Sequence, residues 1–142
     1  IYISKDLKKS AIHLDYLIVA CTLTAKTKNM ININIFKSMK KTGVIINIAR
    51  GGIINESDLY KALKSKIIGG AIIDTWFKYP HNKEENNFKP SNYSFNKMKN
   101  VVMSPHISAW SENMIDRRSK VISNNINRLY EGKILMNIVK KG

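Results

Sequence analysis

Three short apolar runs separated by helix-length segments set the narrowest limit on what this chain can fold into. Residues 14–20 (LDYLIVA), 44–48 (VIINI) and 71–73 (AII) are too short for buried helices and nearly continuous in apolar character. Such runs are expected of strands covered on both faces of a sheet. Between them the spacing turns helical: Ile31, Ile35 and Met39 fall four apart, and Gly43 is placed to close that helix. Asn55 is placed to cap a second helix whose Leu59, Ala62 and Leu63 face inward, and Gly69-Gly70 punctuates the return to a strand. Strand, helix, strand, helix, strand with short connections implies parallel strands and right-handed crossovers, the doubly wound α/β architecture. Ligands bind such sheets at the carboxyl ends of the strands.

The flanks extend this pattern. An apolar start at residues 1–3 leads to Ser4, an N-cap candidate for a helix over residues 5–11. Beyond the third strand, residues 76–100 are polar and carry Pro80 and Pro90, a long excursion of the kind that is usually functional or mobile, before a fourth strand at 101–103. A last helix is expected over residues 111–131, with Ile115, Val121, Ile122, Ile126 and Leu129 as its apolar stripe and Gly132 at its end. The expected division is therefore a sheet domain over residues 1–110 and a helix with tail over 111–142.

Composition closes several other routes. With 142 residues and 44% hydrophobic content, the chain can bury one domain core. Cys21 is the single cysteine, which excludes an internal disulfide and suits a reducing compartment such as the cytoplasm. His13, His81 and His106 are too scattered for a zinc-type spacing, so no metal is expected. No apolar run approaches the ~20 residues that span a bilayer, and no signal segment opens the chain, which reads as soluble without a membrane partner. The net charge of +14 comes mostly from lysines spread over helix faces and loops. That distribution reads as a solvated surface and not as a nucleic-acid footprint.

Each strand end then offers a candidate. Cys21-Thr22-Leu23-Thr24 could let a nucleotide lie close to the backbone, or could form a plain turn. In Ala49-Arg50-Gly51-Gly52 the arginine can present its planar fork to a carboxylate, or can be a surface residue beside a glycine turn. Asp74 can bond local backbone or accept from a ligand amide. Ser104-Pro105-His106-Ile107-Ser108 puts a histidine, able to give or take a proton near neutrality, just past a proline. A lone histidine is more often structural or solvated. One that shares a sheet edge with Arg50 and Asp74 is a better site candidate.

Taken together, these segments resemble the signature of the D-isomer-specific 2-hydroxyacid dehydrogenases. The resemblance runs through Asn47-Ile48-Ala49-Arg50-Gly51-Gly52-Ile53-Ile54-Asn55-Glu56 with Leu59, Ala62 and Leu63, through Gly70-Ala71-Ile72-Ile73-Asp74, and through Asn100 to Ser108. It implies a Rossmann-like dinucleotide-binding domain and hydride transfer between a nicotinamide and a 2-oxo or 2-hydroxy acid. NAD is the implied cofactor, with NADP open, and a homodimer is the implied assembly of the full-length protein. By the same resemblance Arg50 would bind the substrate carboxylate and carbonyl, and His106 would protonate the carbonyl oxygen. Cys21, Thr22, Ile48, Ala49, Arg50, Asp74, His106, Ser108 and Ala109 would line the cofactor, with Asp74 near the carboxamide.

The sequence departs from the family in three places. Where a glutamate commonly supports the catalytic histidine, this chain has Tyr79 before Pro80; tyrosine can orient an imidazole but brings no charge at neutral pH. Weaker support for the imidazolium and an acid-shifted activity optimum are the expectation. Thr22 stands where a proline is common. The glycine-rich phosphate loop and the acidic residue that follows it fall outside these 142 residues, so the chain reads as a C-terminal fragment of the domain, lacking the first βαβ unit, with its last helix returning to a missing substrate domain. A non-enzymatic, corepressor-like nucleotide-binding protein on the same fold is the alternative, since fold alone does not fix function.

Overall fold

In the computed structural model, residues 6–80 and 88–139 are described. His81 and Ser4 lie outside them. The elements run α1 (Leu7–Ala11), β1 (Tyr16–Val19), α2 (Ile33–Ser38), β2 (Val44–Asn47), a 3-10 turn (Gly51–Ile53), α3 (Glu56–Lys64), β3 (Gly70–Ile73), a second 3-10 turn (Phe95–Lys97), β4 (Val101–Met103) and α4 (Met114–Tyr130). The four strands form one sheet in the order β1-β2-β3-β4. Every pair is parallel, with Ile18, Ile46, Ile72 and Val102 aligned in one row across the sheet.

The local chemistry accounts for most boundaries. Asn55 Oδ1 accepts from the Asp58 amide at 3.1 Å and starts α3 as expected. The first helix differs: its cap is Asp6, whose Oδ1 accepts from Lys8 N at 3.1 Å and Lys9 N at 3.3 Å. Gly43 does not close α2, which stops at Ser38; it sits in the following turn, donating to Lys40 O at 2.8 Å. A Cβ at this position would lie 2.9 Å from that same oxygen, so its role is close approach.

One face of the sheet carries the core. Leu17, Val19, Ile45, Ala71 and Ile73 pack with Ala11, Ile35, Phe36, Met39, Leu59, Ala62 and Leu63 from the three short helices. The opposite face is more open than two-sided cover would give, with Tyr16 63%, Ile18 58% and Val102 61% exposed. Continuous apolar character along β1 therefore marks an alternating strand here, buried on one face and exposed on the other. From residue 88 onward the excursion after β3 buries Phe95 among Trp76, Phe77, Tyr60 and Tyr93. Glu56 ties it to α3, its carboxylate accepting from Ser91 Oγ (2.6 Å), Asn92 N (2.7 Å) and Asn92 Nδ2 (2.8 Å).

The chain divides into two compact units, residues 1–108 and 109–142. In the second, α4 ends at Tyr130 and Gly132 follows its cap, with a φ of +65° that suits its lack of a side chain. The expected stripe on α4 is not buried: Ile122, Ile126 and Leu129 are 61%, 62% and 69% exposed. No helix among the described residues is long and apolar enough to cross a membrane. Because Phe36 is fully buried against the sheet while Ile122 is largely exposed, Phe36→Ala is expected to cost about 3–5 kcal/mol in urea unfolding, and Ile122→Ala less than about 0.5 kcal/mol.

Candidate active site

The carboxyl ends of β2, β3 and β4 each lead into a loop whose shape is fixed by a buried polar side chain. At the end of β2 this is Asn47, which is 1% exposed. Its Oδ1 accepts from Ala49 N at 3.1 Å and its Nδ2 donates to Arg50 O at 3.2 Å, folding the turn that carries Arg50. The exposed Arg50 side chain donates from Nη1 to Ala49 O at 2.6 Å. Arg50 joins Ala20, Cys21, Thr22, Leu23, Ile48 and Ala49 around a cleft of about 520 Å³. The structure thus gathers Cys21, Thr22, Ile48, Ala49 and Arg50, proposed separately from two strand ends, into one concavity.

Asp74 organises the next two loops. It is 2% exposed, and Oδ1 accepts from Ser104 Oγ at 2.6 Å and from Ile107 N at 2.8 Å, while Oδ2 accepts from Ser108 N at 3.0 Å. Burial alone would raise its pKa; the hydrogen bonds from Ser104, Ser108 and Ile107 outweigh that and hold the carboxyl well below the usual carboxylate range. Between the gripped residues, His106 adopts φ +61°, a left-handed conformation that costs a residue with a Cβ about 1–2 kcal/mol. The carboxylate supplies the compensating bonds. Ser108 is exposed, and Ala109 begins the second unit.

His106 meets Tyr79 directly, with Nδ1 and Oη 3.0 Å apart and ring centroids 5.5 Å apart. Tyr79 Oη also accepts from Trp76 N at 3.0 Å, and Trp76 Nε1 donates to Ser104 O at 2.9 Å. Trp76 reaches the β2 loop as well, because a Cβ on Gly51 would lie 2.3 Å from Trp76 O. Only glycine lets the Arg50 loop and the Trp76 loop touch. A separate apolar pocket of about 400 Å³ lies against Trp76, Tyr79, Phe88, Met103 and Pro105. His106 lines neither it nor the cleft at Arg50.

Sequence reasoning gave Asn47, Trp76 and Ser104 no part in shaping the site, and read Gly51 only as part of a turn beside Arg50. An asparagine inside an otherwise apolar strand was the available signal for the first, since a buried amide must find partners. The other three act through contacts between loops that no local pattern encodes.

The family model described as "D-isomer specific 2-hydroxyacid dehydrogenase, NAD binding domain" matches residues 2–108. The chain belongs to that family. It is 36% identical over 112 residues to the human glyoxylate reductase/hydroxypyruvate reductase, covering 79% of this chain and 32% of that protein. Among solved structures it resembles the NADPH-dependent glyoxylate/hydroxypyruvate reductase of Sinorhizobium meliloti in complex with NADP and sulfate. That likeness has a TM-score of 0.78 and 26% identity, over 98% of this chain and 42% of the other. The apo D-mandelate dehydrogenase of Rhodotorula graminis matches with TM-score 0.79 and 27% identity over 97% of this chain and 38% of its own. The chain spans about a third of the length of the curated relatives it matches.

Asp74→Asn keeps an acceptor but loses the charge, and is expected to destabilise the fold by about 2–3 kcal/mol at pH 7. The folded carboxyl titrates below its unfolded value of about 3.9, so its contribution is complete above that pH and fades as the solution is acidified further. Denaturant midpoints of wild type and Asp74→Asn should accordingly stay apart from pH 7 down to about pH 4 and converge only as the solution is acidified below that. Gly51→Ala, with its new methyl driven into the Trp76 carbonyl, is expected to cost about 1–3 kcal/mol and to broaden the indole resonance of Trp76 in NMR spectra.

Proposed function

We propose that this chain contributes the catalytic half of an NAD(P)-dependent reductase of small 2-oxo acids, with Arg50 and His106 as its reacting partners. The observation that supports this most directly is the state of His106. Its backbone is gripped on both sides by Asp74, its Nδ1 is engaged by Tyr79, and the other ring nitrogen remains to serve a ligand at the carboxyl edge of the sheet.

The donor set fits a nicotinamide dinucleotide in part. The cleft has the small side chains of Ala20, Cys21 and Thr22 on one wall and Ile48, Ala49 and Arg50 on the other, which supports close approach of a flat ring and its ribose. A bound nicotinamide would supply the hydride to the substrate's carbonyl carbon. His106 Nε2 would hold the proton that the substrate's carbonyl oxygen takes as the oxo acid becomes a 2-hydroxy acid. Arg50 holds the substrate carboxylate through its planar fork, fixing which end of the molecule faces His106.

Two of the named relatives are glyoxylate and hydroxypyruvate reductases by their descriptions, which makes those two acids the first substrates to try. In the full-length protein, His106→Asn is expected to lower kcat by about 10²–10⁴-fold, since asparagine tolerates the backbone conformation but transfers no proton. Arg50→Gln is expected to act mainly through KM. Oxidation of the reduced nicotinamide that depends on added oxo acid, followed by the loss of its near-ultraviolet absorbance, checks both. Nucleotide binding without turnover of any small 2-oxo acid would refute the reductase reading and favour a binding protein on the same fold.

A further inference from the structure

The Tyr79 hydroxyl has two polar neighbours and a single hydrogen. On one side the Trp76 amide, which can only donate, lies 3.0 Å from Oη; on the other, His106 Nδ1 lies 3.0 Å away and can either donate or accept. With the oxygen accepting from Trp76, the hydroxyl hydrogen is available to Nδ1. We propose that Tyr79 donates to Nδ1 of the neutral His106 ring and so holds it as the Nε2–H tautomer, its proton-bearing edge turned away from Tyr79. Tyr79 is then a positioning residue for the reaction, an assignment that rests on the function proposed above.

The surroundings keep the pair in register. Lys78 N donates to Pro90 O at 3.0 Å, which fixes the loop one residue before Tyr79, and the Trp76 indole is tied to Ser104 O at 2.9 Å, two residues before His106. Proton donation to substrate starts from the doubly protonated ring. In that state Nδ1–H donates to Oη, and the hydroxyl, on a side chain 44% exposed, turns its hydrogen to water. A phenol can serve both ring states because it is donor and acceptor at once. A carboxylate at position 79 could only accept, and would demand Nδ1–H in the neutral ring as well. A glutamine could reproduce both contacts, its carbonyl facing Trp76 N and its amide facing Nδ1.

The test is a two-bond proton–nitrogen correlation spectrum of the full-length protein labelled with ¹⁵N-histidine, recorded where the ring is neutral and assigned by His106→Asn. Wild type should show protonated Nε2 and unprotonated, hydrogen-bonded Nδ1. Tyr79→Phe should move the Nδ1 resonance to that of a nitrogen without a donor, Tyr79→Gln should leave it in place, and Tyr79→Glu should convert the ring to Nδ1–H. In turnover, Tyr79→Phe should lower kcat about tenfold with KM for the oxo acid nearly unchanged, and Tyr79→Gln should restore most of the loss. A wild-type ring protonated on Nδ1, or a Tyr79→Phe spectrum identical to wild type, would overturn the proposal. Nε2–H without any turnover would instead overturn the reductase reading and leave the ring assignment standing; turnover with Nδ1–H would overturn the ring assignment alone.

Discussion

The candidate site depends on one buried carboxylate. Asp74 ends β3 and is almost wholly removed from water, yet it stays charged because the serine and two backbone amides of the neighbouring loop converge on it. Each hydrogen bond to a charged acceptor contributes about 1.5–3 kcal/mol, more than the left-handed backbone of His106 costs. The balance explains why a histidine can occupy a conformation that its Cβ resists. It also explains why the loop after β4 has a definite shape without belonging to any regular element. Asp74 is thus committed on both oxygens within the protein, so a ligand group near it would meet a carboxylate that already has three donors.

From that anchor the remaining contacts form a chain. His106 touches Tyr79, Tyr79 accepts from Trp76, and Trp76 lies against Gly51, which follows Arg50. Loops after three adjacent strands are therefore mechanically joined, although they are more than 20 residues apart in sequence at each step. The aromatic cluster of Tyr60, Trp76, Phe77, Tyr93 and Phe95, with the Glu56 bonds to residues 91 and 92, supports the middle link from the α3 side. On the proposed reading such support matters, because an imidazole displaced by an ångström no longer reaches its substrate.

Sheet positions were legible in the sequence because β-branched runs bounded by glycine and asparagine have few other uses. Val44–Asn47, Gly70–Ile73 and Val101–Met103 fall within a residue of their expected limits. Helix ends were less legible. Gly43 suggested a terminus for α2, whereas the helix stops where Met39 N turns back to Ile35 O and Phe36 O, a hydrogen-bond choice that composition does not record. Which strand face is covered was illegible too, since an isoleucine reads alike whether packed, as Ile45 is, or exposed, as Ile18 is. Arg50, Asp74 and His106 could be picked out as residues at strand ends. That Asp74 holds the His106 loop could not, because its three donors lie 30 and more residues further on.

The separation of Arg50 and His106 into different surroundings follows from the same physics. A guanidinium without an anionic partner takes the nearest carbonyl, and Arg50 Nη1 has taken Ala49 O at 2.6 Å. That contact is one charge-assisted bond to a neutral acceptor made by a single nitrogen of the fork. A carboxylate offers two such bonds with opposite charge, so on the proposed reading substrate competes against a weaker resting contact and wins without disturbing the backbone that Asn47 fixes. The arginine therefore carries the adjustable part of the site and the histidine the rigid part. This division suits a reaction in which the acid must be captured first and protonated second.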